Sequence, residues 1–525
     1  VGWTGRYENM NNMRVSTNGG LVTENWFDLN ASRYTPSSTL QRMELLKTGY
    51  MGTLSLGWDN YLFLELTGRQ ERSSTLKDQS FFYPSANLSF LFTQAFHMPS
   101  WWNYGKLRLS YGIVGNAPET YTANIVYEQG SDNGFTWNTI PSSWGNADIR
   151  PEKKYEYEIG LESKFLNNRL GIDVSYYNNR VKDQILSTPQ PSTSGVKNVL
   201  MNVGEVANHG WDISISATPI LTRDFRWDLT ANYGVYKNKV VKLADGVPYL
   251  EILNSGGSGI KIQAVEGQPM GDIYAQVPQV NENGEYLVSD KGLYLNQTEL
   301  QKVGNINPAG VGGLFNSFSY KNVFLDFSID FRIGGDVINE MNQYATAVGL
   351  TPESLKYRDT EHGGLSYYYP GDNNSSGIPV QVDPSTGAGP NGEIIYHDGI
   401  ILPGVVASTG ERNTRIIPAG YYYNTTYNWG TEAEQLTYRH SVFDNSYVKL
   451  RELTIGYQFP EKIISKLGLG RLSVSVFGRN LFYFYKALKN YDAESSVGTS
   501  WANQATVGSS TTATRSFGVS LRASF

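Results

Sequence analysis

Apolar and polar side chains alternate along this chain in runs of about ten residues, the period expected of strands with two different faces. Phe517, Val519, Leu521, Ala523 and Phe525 alternate with Ser516, Gly518, Ser520, Arg522 and Ser524. Leu107, Leu109, Tyr111 and Ile113 alternate with Lys106, Arg108, Ser110 and Gly112, and Tyr155, Tyr157, Ile159 and Leu161 with Glu156, Glu158, Gly160 and Glu162. Val323, Leu325, Phe327, Ile329, Phe331 and Ile333 repeat the pattern against Phe324, Asp326, Ser328, Asp330 and Arg332, and the segments 227–235 and 472–476 continue it. The polar face carries more charge than the dry centre of a soluble sandwich tolerates.

The connections form a second pattern. Short ones fall at Asp59-Asn60, 95–105, Leu166-Asn167-Asn168, 219–226, Tyr320-Lys321-Asn322 and 459–471. Long ones fall at about 9–46, 71–85, 115–154, 179–209, 237–311, 335–445 and 489–512. Short turns on one side and long loops on the other are the habit of transmembrane barrels. The sequence therefore predicts an all-β fold, a transmembrane antiparallel β-barrel with 14 strands between Val1 and Phe525, the whole of 1–525 belonging to one barrel domain. A lid as long as 335–445 suits a gated barrel rather than an open pore. No repeated unit suggests a solenoid or propeller. Because the chain opens at Val1 in mid-pattern, with neither initiator Met nor signal peptide, it is expected to be part of a longer mature protein.

Composition sharpens this picture at four points. No apolar run is long enough for a transmembrane helix, and the mean hydropathy of −0.37 fits barrels whose strands face lipid on alternate residues only. The absence of Cys excludes thiol catalysis, disulfides and Cys-zinc sites. A net charge of −6 speaks against a general nucleic-acid binder. The five His, at 97, 209, 362, 397 and 440, have no spacing that makes a local metal pair.

Several motifs carry a family resemblance. Asn307-Pro308, then Gly312-Gly313-Leu314-Phe315-Asn316-Ser317-Phe318-Ser319-Tyr320-Lys321-Asn322, then Phe331-Arg332-Ile333-Gly334-Gly335-Asp336 form one run. Tyr447-Val448-Lys449-Leu450-Arg451-Glu452-Leu453-Thr454-Ile455-Gly456-Tyr457 and Gly478-Arg479-Asn480-Leu481-Phe482 form another. Arg150-Pro151-Glu152-Lys153, Tyr157-Glu158-Ile159-Gly160-Leu161, Phe165-Leu166-Asn167-Asn168-Arg169-Leu170, Asn202-Val203-Gly204-Glu205-Val206-Ala207-Asn208-His209-Gly210 and Gly267-Gln268-Pro269-Met270-Gly271 complete the set, in family order over about 85–525. Together they resemble the SusC/RagA-type TonB-dependent outer-membrane transporters of Bacteroidetes. The resemblance implies a 22-stranded barrel, of which these would be the last 14 strands, with a plug domain upstream of Val1 that is not in this sequence. It implies a SusD-type surface lipoprotein as capping partner, energy from TonB through the absent N-terminal region, and import of oligosaccharides or oligopeptides without bond cleavage. It further implies a Gram-negative outer-membrane location in contact with lipid, and a dimer of transporter–lipoprotein pairs. Two rivals stand beside it: a siderophore or vitamin receptor without a cap, and a secreted all-β glycan-binding or glycan-cleaving protein.

Candidate residues fall in four groups. Trp58, Tyr61, Trp101, Trp102, Tyr104, Trp227 and Phe525 lie at short-turn strand ends, where Trp and Tyr form membrane-interface girdles; packing within a sandwich is the competing reading. Trp137, Trp144, Tyr367, Tyr368, Tyr369, Tyr421, Tyr422, Tyr423, Trp429 and Trp501 lie in long loops, where they would contact cargo or the partner, or pack loop on loop. Asp372, Asn374 and Ser376, with Gly377 and Asp383, have the spacing of a calcium loop, against which stand Pro379, a final Asp in place of Glu, and the ordinary Asn/Gly-rich turn. No other cofactor is expected. Glu156, Glu158 and Glu162 read as a wet lumen wall rather than a catalytic set. The cluster Ser255-Gly256-Gly257-Ser258-Gly259 lacks the Lys-Ser/Thr of a phosphate loop.

Overall fold

A computed structural model describes residues 1–524 except 78–79, 133–134, 191–192, 194, 256–258, 372–376, 429–437, 497, 499 and 509–512. Its main feature is one 14-stranded sheet in sequential order. The strands are β1 (Gly2–Leu21), β2 (Ser32–Trp58), β3 (Leu62–Ser73), β4 (Ser80–Phe90), β5 (Trp102–Asn116), β6 (Glu152–Phe165), β7 (Leu170–Lys182), β8 (Glu205–Leu221), β9 (Phe225–Lys242), β10 (Gly310–Tyr320), β11 (Val323–Ile333), β12 (Tyr447–Gln458), β13 (Arg471–Lys486) and β14 (Ser516–Ser524). Among the described residues, no helix is long and apolar enough to cross a membrane. Contacts divide the chain into two compact units, Val1–Trp211 with Lys237–Pro248, and Asp212–Tyr236 with Tyr249–Phe525.

Tight turns close the hairpins where the sequence supplies residues that tolerate a left-handed backbone. Asp59 and Asn60 have φ of 51° and 59°, and Asn167 and Asn168 have 58° and 63°; short polar side chains of this kind are the usual occupants of that region. Pro84 sits inside β4 opposite Gly68 of β3. It has no N–H to give, and the ladder between β4 and β5 begins only at Ser85.

Two expectations are corrected in the first unit. The segment 9–46 is not a loop: β1 and β2 pair continuously from Gly2↔Met51 to Ser16↔Ser37, leaving 22–31 as the connection. This stretch mixes polar and apolar residues on both faces (Met10↔Met43 beside Asn12↔Gln41 on one, Met13↔Leu40 beside Asn11↔Arg42 on the other), so a paired ladder exists without the alternation that would reveal it. Likewise β3 runs to Ser73 and β4 starts at Ser80, so the connection expected at 71–85 is shorter than the one at 91–101, and the short–long rhythm fails at this end.

In the second unit the long connections carry their own architecture. A four-stranded sheet joins 249–255, 260–265, 272–275 and 301–305, and another joins 365–368, 380–381, 396–400 and 417–418. Helices α1 (Glu340–Ala347) and α2 (Ala419–Tyr427) pack beside them. Ile260, Ile262, Ile273, Ala275, Ile306 and Ile338 form one buried core, and Leu293, Ile400, Leu402 and Ile417 another. Among the described residues, the strands of the large sheet contribute only Phe81, Val206, Val240 and Leu450 to the buried hydrophobics. Their apolar faces are instead open: Ile159 is 48% exposed, Leu109 38% and Leu521 70%. This inverts the distribution of a soluble sandwich, which hides its greasy strand faces against a second sheet.

Candidate functional site

One concavity lies in the connections 243–309 and 334–446. It has a volume of about 730 Å³ and is lined by Tyr294, Glu353, Lys356, Tyr357, Leu365, Ile400, Ile401, Leu402, Tyr422, Tyr423 and Tyr427, among others. The floor is set by the Leu293–Ile400–Leu402–Ile417 core, against which Tyr294, Tyr357 and Tyr422 pack. Helix α2 supplies three tyrosines from two successive turns: Tyr423 and Tyr427, four residues apart, share one helix face and their rings lie 5.7 Å apart, while Tyr422 meets Tyr423 at 5.1 Å. The Tyr423 hydroxyl donates to the Glu353 carbonyl at 2.8 Å and the Tyr294 hydroxyl to the Pro403 carbonyl at 3.2 Å, which fixes both rings. Burial pushes the Tyr294, Tyr423 and Tyr427 phenols up to about 12, and raises Tyr422 further. All four stay neutral and act as hydrogen-bonding aromatics. His440 stacks on Tyr427 at 4.4 Å, and desolvation brings its imidazole down to about 4, so it too is neutral near pH 7.

The loop aromatics named from sequence separate into different roles. Tyr422 and Tyr423 line the cavity; Tyr421 points out of it and is exposed. Tyr367 and Tyr369 are 1% and 4% exposed and form a core with Ile416, Tyr367 donating to Asp398 at 3.0 Å. The contact role expected for these two is therefore corrected to packing: a side chain sealed inside its own sheet offers no face to a ligand. Tyr368 is partly buried beside them. Trp137 is exposed on the hairpin 128–139, Trp144 meets Tyr127 edge-on at 5.9 Å, and Trp501 is 37% exposed. Trp429, Asp372, Asn374, Ser376 and Phe525 lie outside the described residues. The Asp383 carboxylate accepts from the Ser385 amide at 2.9 Å, closing a local turn. Tyr294, Tyr357 and Tyr427 escaped sequence reading, because no local period links three residues brought together only by tertiary packing.

At the short turns the structure sorts the aromatics by face. Trp101 stacks on Trp102 at 5.9 Å and on Phe165 at 6.0 Å; Tyr61 meets Phe90 at 6.1 Å; Trp227 stacks on Phe318 at 5.4 Å; Trp58 is exposed at the end of β2. Tyr104 behaves differently. A bulge between Trp102 and Tyr104 pairs Trp102 with Phe165 but Tyr104 with Lys164. Directly paired residues share a face, so Trp102 joins the apolar face and Tyr104 the charged one, where the Lys164 ammonium lies 5.4 Å from its ring. Tyr104 is thereby removed from the lipid-facing set.

That charged face is a lattice of ion pairs. Arg108 on β5 reaches across β6 to grip Asp173 on β7 with both Nη atoms, at 2.6 and 3.2 Å. It passes over Gly160, where a Cβ would lie 2.8 Å from Nη2. Glu156 is held by Lys154 at 2.6 Å and by the Asn179 amide at 3.1 Å, as a structural wall member. Farther along, Arg451 of β12 binds Asp330 of β11 and Glu494 of the last long connection, and Lys449 binds Glu494 as well. Burial alone would raise the Glu494 carboxyl, but hydrogen bonds from Arg451 and Lys449 prevail and hold it at about 2.

A sheet that is greasy on one face and charged on the other, with its main cores in the connections, fits the outer-membrane barrel class. The sequence matches the family TonB dependent receptor-like, beta-barrel over residues 2–280, more than half of the chain, and the chain belongs to that family. TonB-dependent receptor SusC of Bacteroides thetaiotaomicron is 30% identical over 247 residues, 43% of this chain and 24% of its own length. TonB-dependent receptor P3 of Formosa agariphila is 24% identical over 494 residues, 86% of this chain and 42% of its own length. A structure of the RagAB peptide transporter superposes with a TM-score of 0.67 at 18% identity, covering 94% of this chain and 50% of that chain, a likeness of fold. The chain spans less than half the length of the curated relatives it matches. The family consists of Gram-negative outer-membrane receptors and transporters, not enzymes.

Proposed function

We propose that the chain is the C-terminal barrel portion of an outer-membrane importer that takes up oligosaccharides or oligopeptides, capped by a SusD-type lipoprotein and energised through TonB. The observation that carries this reading is the cored domain built from the two longest connections: an open pore has no use for a packed lid holding an aromatic cavity of about 730 Å³. The relative named SusC and the fold shared with a peptide transporter support it. In this reading Trp58, Tyr61, Trp101, Trp102 and Trp227 sit at the membrane interface, and the lattice around Arg108 and Arg451 lines the wet interior.

The test is to extract the native full-length receptor in mild detergent with an affinity tag and to measure uptake in cells lacking its gene. The expected result is a co-purifying outer-membrane lipoprotein and growth lost on one class of oligomer, glycan or peptide. A receptor that comes out alone, with growth lost only under iron or vitamin limitation, would assign it to the uncapped siderophore and vitamin receptors instead.

A further inference from the structure

We infer that the tyrosine-lined cavity is a binding site for an apolar or aromatic side chain of a peptide, an inference that rests on the importer reading and chooses between its two cargo classes. Three observations converge. First, the floor is Leu365, Ile400, Ile401 and Leu402. A sugar ring lowered onto it would leave hydroxyls without partners, whereas a Phe or Leu side chain has none to lose. The tyrosine rings add edge and face contacts suited to an aromatic guest, and two of their hydroxyls are already committed to the Glu353 and Pro403 carbonyls.

Second, the rim carries opposite charges three residues apart, Glu353 and Lys356. Lys356 is exposed and its ammonium lies over the Tyr357 ring at 4.7 Å. A zwitterionic peptide offers both complements; a neutral oligosaccharide offers neither. Third, Tyr357 is held at φ 69°. A bulky side chain in the left-handed region is a genuine outlier, and such strain collects at ligand clamps. Its amide donates to the His362 carbonyl at 2.9 Å, closing the loop that presents the ring to the cavity.

The site is tested by calorimetry on the purified full-length receptor, titrated with the tripeptide Ala-Phe-Ala, with its acetylated and amidated form, and with maltotriose. Tyr357→Asn, which keeps the backbone shape, is expected to weaken tripeptide binding about tenfold. Lys356→Glu, an exposed change, is expected to weaken the free tripeptide about fivefold and the blocked form hardly at all. Ile401→Trp, which fills the cavity, gives an independent block should Tyr357→Asn lower the melting temperature. Maltotriose binding that these substitutions abolish, with no peptide heat, would overturn the inference in favour of a glycan subsite. Neither ligand binding the wild type, in a receptor that still imports its cargo, would overturn the site and leave the importer reading standing. Tripeptide binding in a receptor that imports nothing would uphold the site and remove the importer reading.

Discussion

Arg108 shows how one missing side chain organises a wall. Its guanidinium spans two strands because Gly160, on the strand between, leaves the space open. The ion pair itself is worth little, since Arg108 and Asp173 side chains are 27% and 41% exposed and pairs of that kind give about 0–1 kcal/mol. Gly160→Val should cost more, about 1–3 kcal/mol, because the new methyls displace the guanidinium as well as breaking the bond. Guanidinium-chloride midpoints of the full-length receptor in detergent check this against Asp173→Asn; equal losses would show that the seat over Gly160 is not needed. At this scale the sequence was half legible. The alternation around Gly160 fixes the face on which Arg108 stands, but nothing local indicates Asp173, 65 residues away, as its partner. Tyr104 was misread for a related reason. Spacing of two from Trp102 implies a shared face, and a single bulge cancels it.

Elements were legible where two environments differ and illegible where they do not. Strands β5, β6, β11 and β14 could be read from sequence because one face is apolar and the other polar or charged. The paired segments 9–16 and 37–44 of β1 and β2 mix polar and apolar residues on both faces, so their pairing leaves no periodic trace. The small sheets between β9 and β12 are short, with register shifts, and their cores assemble from residues far apart in sequence. The last long connection illustrates how such an element is tied down: Glu494 joins it to Lys449 and Arg451 of β12. Its carboxyl is held at about 2 in the folded chain, below an unfolded value of about 4.3. The ionised form therefore stabilises the folded loop above that pH, and the contribution fades as pH falls from about 4.5 towards 2. Hydrogen exchange of 487–496, corrected for intrinsic rates, should accelerate as pH falls across that window in the wild type. Glu494→Gln should exchange fast already at pH 7 and respond far less to acid. A wild-type loop whose exchange, corrected for intrinsic rates, is flat from pH 5 to 2 would mean that the tether is not what orders it.

For the whole molecule, the argument turns on where exposed grease is meant to go. Leu109 and Ser110 are neighbours on β5, paired with Ile159 and Glu158 of β6. Leu109 belongs to the apolar face and is 38% exposed in the isolated chain; Ser110 belongs to the charged face beside Arg108. In water the two positions would accept an arginine at similar cost. In a bilayer they cannot: a cation near the midplane of a barrel's outer face costs about 2–4 kcal/mol, while one on the inner face meets water and, here, the Glu158 carboxylate. Leu109→Arg in the full-length receptor should thus lower its unfolding free energy in lipid vesicles by about that amount and reduce heat-modifiable, folded protein in outer-membrane fractions. Ser110→Arg should change either by less than about 1 kcal/mol. The contrast is between adjacent residues on one strand given the same new side chain, so the charge introduced is equal and the face it enters differs. Equal effects would mean that hydrocarbon does not bathe this face, and with it the barrel-in-membrane account of every outward residue from β2 to β14 would fail.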